Sequence, residues 1–564
     1  MNKKEKLFLI ATDILLLGLI LYPIFLGGIV GGYDPGFHMG RIHTLATNIA
    51  SGHFPNPIGY EYVNTFGYGV GFFYGNFFIY PFAILNALGL TAYKSYIIYI
   101  ITFVILNIFS INYVTHKLFN NSWATILSAP LYLSSYYFIG VIYFRAAAGE
   151  LIAFAIIPWV LLSVFKLTQG KTNYWIMFGI SFSLLLVTHI LSFLITAGAA
   201  ILIFIMSLIT IFKNRKIFWA FVKGTLLFLG LSSVFLFSFV EQYLTQSFVS
   251  TAVDKYGNYL LVLNAEWMPD HLFDTRQFLP MNGTFLVVLL IFSLLYYLYK
   301  GRGFHFSSNV IPKAFIVVIL YSSLILSADL LMLAVKLFKP LILLQIITRV
   351  NVVILPLSVL LVANALGEMI SNWGKFKMPA TAALFAIIAA ITVMFPIKTN
   401  LNFVAQRKGP ISDISVSMGE YEPNAFMQYN NDNNFQVNPK FLEKHQNMQI
   451  TTNNHFKAVV KITDNKQSRV IMLPRLYYKG YQTKISYNGK NITSNALHKN
   501  GLVAAKLPSN FKSGTVTVTY HLTTLNKLGW IISILTLAFL IWLLLKKYPL
   551  KKRSSATGII KEAA

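Results

Sequence analysis

Residues 7–30 read LFLIATDILLLGLILYPIFLGGIV, and the chain runs directly into Gly31-Gly32-Tyr33-Asp34-Pro35-Gly36-Phe37-His38-Met39-Gly40-Arg41. An apolar run of that length is enough to cross roughly 30 Å of hydrocarbon as one helix. It carries no small-residue cleavage site, so it reads as a retained first span and not as a removed leader. The glycine-rich polar stretch after it then emerges at the membrane surface. If a new helix starts at Asp34, then Asp34, His38 and Arg41 fall at i, i+4 and i+7 and share one face. Asp followed by Pro is also a good N-cap with Pro at the first helical position, a role that needs no chemistry.

Outward from this stretch the same pattern recurs. Further spanning runs lie near 95–115, 123–141, 151–167, 173–189, 191–212, 217–240, 284–299, 313–330, 350–367, 378–396 and 528–545, so the sequence predicts an all-α polytopic membrane protein of about 12 transmembrane helices. Composition agrees. The 564 residues are 56% hydrophobic and 12% charged, about half the charged share of ordinary globular proteins, and contain no cysteine. A soluble globular domain, a disulfide scaffold and a disordered chain are excluded.

The net charge of +27 would suggest nucleic acid in a soluble protein, but here it is a matter of topology, and no nucleic-acid partner is expected. With Met1 in the cytoplasm, 21 of the 46 basic residues fall in short inside connections and the tail, against 8 in short outside loops. The positive-inside rule then predicts a multi-pass protein of the cell membrane with both termini cytoplasmic. The other 17 lie in 397–527 with 6 acids, a long segment the rule does not govern. Of the 19 acids, 15 are expected outside, so an active site is sought on the extracytoplasmic face.

Three outside segments exceed ordinary connections: the first loop 31–94, then 241–283 and 397–527. Residues 456–522 alternate like strands around an Asn488-Gly489 hairpin signal and predict a small extracytoplasmic β-rich domain within 397–527, whereas 400–455 is Asn-rich and ambiguous. The organisation expected is a membrane module over 1–396, this domain, and a last span with a basic tail over 528–564.

Other polar residues gather at the outer span ends. Arg145 and Glu150 flank Ala146-Ala147-Ala148-Gly149, His189 sits in a tight turn, and Gln345 and Arg349 enter a span. Each has a bland account: an ion pair, an interfacial histidine, a snorkelling arginine. The run Phe66-Gly67-Tyr68-Gly69-Val70-Gly71-Phe72-Phe73-Tyr74 has one too, as an interfacial aromatic belt. Together they suit sugar transfer from a lipid phosphate, the activated donor available outside the cell. That reaction needs one carboxylate to take the acceptor's proton and cations for the departing phosphate. It needs no second, protonated acid, because phosphate already leaves well.

Six motifs extend this pattern: Asp34-x-x-x-His38-x-x-Arg41, the Gly-x-Gly-aromatic run ending in Tyr80-Pro81, Arg145-x-x-x-x-Glu150, Thr188-His189, Gln345-x-x-x-Arg349, and Leu473-Pro474-x-x-Tyr477-Tyr478-x-Gly480-Tyr481. With them the chain resembles the YfhO-like and 6-pyruvoyl-tetrahydropterin-synthase-related bacterial membrane proteins of the GT-C glycosyltransferase superfamily. The resemblance implies a GT-C-like fold and a polyprenyl-phosphate-linked sugar donor. It also implies inverting transfer onto a cell-surface glycan or teichoic-acid polymer, with Asp34 as catalytic base. His38, Arg41, Arg145, Glu150, His189, Gln345 and Arg349 are then the substrate-binding candidates. A divalent cation is compatible with the sequence but not required by it. Two readings compete: a transporter or flippase of a lipid-linked saccharide, and a non-catalytic envelope protein whose basic 397–527 segment binds anionic polymer.

Overall fold

The computed structural model describes residues 1–27, 34–251, 284–300, 309–344, 347–398, 416, 419–463, 465 and 469–547. The site candidate Gln345 lies outside the described residues, as do Asp254, Glu266, Asp270 and Asp274 of the second long loop. The architecture is a bundle of apolar helices with a small β-rich domain, as the hydropathy pattern predicts.

Among the described residues seven helices are long and apolar enough to cross a membrane, or nine if two bent pairs count as spans. The other three of the twelve predicted segments are shorter apolar helices. The segments at 173–189 and 191–212 are apolar helices with straight lengths of Thr172–Leu186 and Ile190–Ile205, and Thr284–Tyr299 fills the predicted 284–299. Sixteen residues rise only about 24 Å, short of the hydrocarbon thickness. The turn at Val187–His189 lies where the sequence reading put it, whereas hydropathy alone did not reveal the turn after Ile205. The 123–141 segment is bent by 49° between Ser122–Leu133 and Tyr136–Tyr143, where Ser135 caps the second helix through the Phe138 N–H.

Two helices form the centre. Ala148–Thr168 is 89% buried and Ile347–Ile370 94% buried over their apolar windows, against 11% for Gly374–Thr392 and Thr524–Lys546 at the periphery. The centre can be apolar all round because it never meets lipid. The last helix packs on Arg215–Thr245 through small residues: Ser533 Oγ donates to Gly230 O at 3.1 Å and accepts from Val234 N–H at 2.9 Å. Glu241 fastens its start, accepting from Thr523 and Asn526 at 2.7 Å each.

The β-rich domain holds a five-stranded antiparallel sheet, β1(Gln449–Asn453), β2(Lys457–Ile462), β4(Tyr481–Tyr487), β5(Lys490–Asn495) and β8(Gly514–Tyr520), in the order β1-β2-β8-β4-β5. A second sheet, β3(Val470–Leu476), β6(Leu497–Lys499) and β7(Leu502–Lys506), shares its core. Asn488 and Gly489, at φ 48° and 69°, make the β4–β5 turn read from the sequence. Within the ambiguous 400–455 stretch, Asn424–Asp432 and Pro439–Gln446 are short helices. The aromatic run of the first loop belongs to this same core: Phe66, Phe72 and Phe73 are fully buried with Leu476, Tyr478 and Val516. The lipid-interface belt read from the sequence is therefore replaced by a packed seam, in which these rings are covered by protein.

Candidate active site

Asp34 stands where the first loop turns into helix Pro35–Ala50. It occupies the N-cap position, yet its side chain makes no capping hydrogen bond. Pro35 has no N–H to satisfy, and His38 N–H donates to the Asp34 carbonyl at 3.0 Å as the first bond of the helix. Asp34 N–H donates to Arg145 O at 3.1 Å. That bond ties the first loop to the second motif, 111 residues along the chain.

Arg145 and Glu150 form the predicted ion pair, and Arg349 joins it. Arg145 binds Glu150 through two parallel bonds, Nη1 to Oε2 at 2.9 Å and Nη2 to Oε1 at 2.8 Å. Tyr137 OH donates to Oε2 at 2.9 Å and Arg349 Nε lies 3.4 Å from Oε1. The Glu150 side chain is 1% exposed, Arg145 15% and Arg349 13%. One carboxylate thus holds two guanidinium groups side by side. Burial works against the Arg145 charge, but Glu150 outweighs it and raises the guanidinium pKa, so the cation persists. The turn between them is strained: Ala146 has φ 53°, a conformation that costs of order 1 kcal/mol for a residue with a Cβ. Two buried hydroxyls hold it, Tyr96 donating to Ala146 O at 3.1 Å and Tyr99 to Ala148 O at 2.7 Å.

Tyr74 sits at the centre. Arg41 stacks on its ring at 4.0 Å, with His38 and His189 at 5.9 and 5.4 Å. Arg41 is buried, and its Nη2 is shared among Tyr74 O, Gly75 O and Asn76 Oδ1 at 3.2, 2.8 and 2.8 Å, while its Nε has no hydrogen-bond partner. A buried cation with an unspent donor is poised for an anion. His189 caps helix Ile190–Ile205 by accepting the Ser192 N–H on Nδ1. Burial pushes its pKa down to about 3, with Arg349 and Arg145 opposing protonation against the pull of Glu150. The ring is therefore neutral with its proton on Nε2, a hydrogen-bond donor. Burial first, then Arg41, likewise holds His38 well below the usual histidine range.

Two glycines permit this crowding. A Cβ on Gly149 would fall 1.8 Å from Tyr74 Oη, and one on Gly75 would fall 1.6 Å from Val187 O, beside the turn that carries His189. The second obstacle is backbone and cannot swing away. Gly75→Ala is expected to destabilise the protein by about 1–3 kcal/mol through overpacking, read as a lower midpoint of thermal unfolding in detergent. Gly18→Ala, which meets nothing within 4 Å, is the matched control.

The sequence matches no protein-family model and no curated protein. Its fold is similar to that of solved arabinofuranosyltransferase AftD from Mycobacteria. That likeness has a TM-score of 0.46 at 12% identity and covers 71% of this chain, which spans 27% of the AftD chain. ArnT from Cupriavidus metallidurans, solved bound to undecaprenyl phosphate, is similar at a TM-score of 0.37 and 11% identity, over 75% of this chain and 76% of that one.

Of the predicted residues, Asp34, His38, Arg41, Arg145, Glu150, His189 and Arg349 are brought together. Tyr74, Asn76 and Tyr137 were not singled out from the sequence. For Tyr74 and Asn76 the signal was the glycine spacing around them, which marks close backbone approach, while Tyr137 carried none. Glu61, the nearest further acid of the first loop, instead accepts from Thr44 at 3.0 Å and faces His455 at 3.7 Å. Among the described residues no group of three His, Asp or Glu is placed to hold a metal ion.

Proposed function

We propose that this chain is a GT-C type membrane glycosyltransferase. It moves a sugar from a polyprenyl-phosphate donor to a hydroxyl of an extracytoplasmic cell-surface glycan or teichoic-acid polymer, with inversion. The observation that carries the reading is the gathering around Tyr74 of three largely buried arginines and two carboxylates: Arg145 and Arg349 on Glu150, Arg41 stacked on the Tyr74 ring, and Asp34 tied by its N–H to the Arg145 carbonyl. Three guanidinium charges against two carboxylates leave about one positive charge, matched to a sugar phosphodiester and still better matched to the more negative phosphate that departs.

In the reaction the acceptor oxygen attacks the sugar's anomeric carbon from the face opposite the phosphate, and Asp34 takes the hydroxyl proton. The bond from carbon to phosphate oxygen breaks with its electron pair on the oxygen, whose charge the arginines stabilise. Neutral His38 and His189 and Tyr74 shape the sugar pocket. Both termini are cytoplasmic and the site faces outward in this reading, as the bias of basic residues argues.

A lateral apolar cavity of about 560 Å³ supports the lipid donor. It runs from Phe78 and Leu184, close in sequence to Asn76 and His189, past Phe103, Ile152 and Trp159 toward Lys117. An isoprenoid tail fits such a lining. The test is equilibrium binding of undecaprenyl phosphate to the full-length protein. Ala155→Trp, which fills the cavity, and Arg349→Gln, which removes a cation, are each expected to weaken it about tenfold or more, a loss of ~1.4 kcal/mol. No binding by the wild-type chain would sink the polyprenyl-phosphate reading.

A further inference from the structure

The β-rich domain does more than sit beside the helices. A short strap, Gly419 to Asn424, crosses from it to the end of helix Arg215–Thr245 and is pinned there by backbone. Ser250 N–H donates to Glu420 O at 2.9 Å, Val249 N–H to Glu422 O at 3.1 Å, and Asn424 N–H to Ser247 O at 3.0 Å. Tyr421 stands in the middle. Its N–H donates to Tyr68 Oη at 3.1 Å and its carbonyl accepts from Tyr478 OH at 2.9 Å. Both its backbone groups are thus held by tyrosines, one from the first loop and one from the β-rich domain.

The Tyr421 ring stacks on Phe73 with centroids 5.1 Å apart and planes 10° from parallel. Phe73 is the residue before Tyr74, whose ring carries Arg41 and whose carbonyl accepts from it. Tyr421 is itself partly buried against this core, within electrostatic range of both Tyr74 and Arg41. The first loop is therefore a wall one residue thick here: Phe73 faces the β-rich domain and Tyr74 faces the arginines.

The same loop needs holding. Val63, Asn64 and Thr65 have φ of 54°, 52° and 68°, a left-handed turn that costs L residues roughly 1–2 kcal/mol each. The β-rich domain fixes that turn too. Arg475 donates to Thr65 O at 3.3 Å, Asn453 Nδ2 to Thr65 Oγ1 at 2.9 Å, and Leu476 N–H to Phe66 O at 2.9 Å. Arg475 also lies over the Tyr60 ring at 4.7 Å.

We propose that Tyr421, stacked on Phe73 and fastened between Tyr68 and Tyr478, is a positioning residue that fixes Tyr74 and Arg41 for the donor phosphate. The β-rich domain is in that sense the back wall of the transferase site and not a separate polymer-binding appendage. This rests on the polyprenyl-phosphate reading and adds a residue of the other domain to it. The interaction acts through ring stacking, so the phenyl ring is what matters and the hydroxyl is secondary.

The experiment is binding of undecaprenyl phosphate to the full-length protein, paired with hydrogen–deuterium exchange of residues 68–76. Tyr421→Ala is expected to bind about tenfold more weakly, the scale of losing preorganisation on one side of a site, with faster exchange confined to 68–76. Tyr421→Phe restores binding to within about twofold of wild type, since it keeps the stacked ring. Where Tyr421→Ala fails to fold, Tyr478→Phe decides: it keeps its own ring, drops the bond to the Tyr421 carbonyl, and is expected to bind a few-fold more weakly with only a modest fall in melting temperature. Wild-type binding together with unaltered binding by Tyr421→Ala, or by Tyr478→Phe in its place, would overturn the positioning role alone. Failure of the wild type itself to bind undecaprenyl phosphate would remove the donor reading, and this inference with it.

Discussion

Asp34→Asn is expected to cut sugar transfer by about two to four orders of magnitude, the range for loss of a positioned general base, while the protein reaches the membrane at its normal level. The substitution separates the two roles that the sequence leaves open. Asn is as good an N-cap as Asp, so a residue that only started helix Pro35–Ala50 would tolerate the change almost freely. The missing capping bond of the Asp34 side chain already leans against that role. Charge gives a second, opposite-signed readout. Neutralising Asp34 leaves Arg41, Arg145 and Arg349 less opposed, so undecaprenyl phosphate should bind as well as to wild type or more tightly, even though transfer is lost. The measurement is the glycan content of surface polymers in a strain lacking this protein and complemented with each form. Unchanged glycan content with Asp34→Asn would exclude Asp34 as the base, and weakened lipid binding would put its effect on folding instead.

The parts of this protein that follow from local chemistry were legible in the sequence. Long apolar runs became helices because backbone groups in hydrocarbon can be satisfied within a helix, and alternation from Lys457 to Tyr520 became strands. Asp34, Arg145, Glu150 and Arg349 were legible for a related reason: charges at the ends of apolar spans are costly and draw attention one at a time. What was not legible is long-range. Glu150 as an acceptor for two arginines depends on Arg349 arriving 199 residues later. The aromatic run from Phe66 to Tyr74 reads as a lipid belt until Tyr421 and Tyr478 are seen to cover it. Helix lengths were overestimated where the Ser135 cap or the turn after Ile205 breaks an apolar run that hydropathy treats as continuous.

Glu150→Gln tests the arginine pair from its other side. Gln keeps the shape and an oxygen for the Tyr137 hydroxyl, but Arg145 and Arg349 lose the charge that lets them lie together out of water. Breaking a buried ion pair by removing one partner costs about 3–5 kcal/mol, since the remaining charge is left uncompensated, and here two remain. A marked fall in the thermal midpoint and loss of transfer are both expected. Activity loss alone would say little, because an unstable protein is also inactive. The double substitution Glu150→Gln with Arg145→Gln supplies the discriminating step. Removing the opposing charge relieves the repulsion, so stability should recover by a large part of the single variant's deficit, as coupled neighbours do in a double-mutant cycle. Transfer should stay low, because one cation for the departing phosphate has gone. If transfer returned along with stability, Arg145 would be a structural partner of Glu150 only, and the phosphate would have to be held by Arg41 and Arg349.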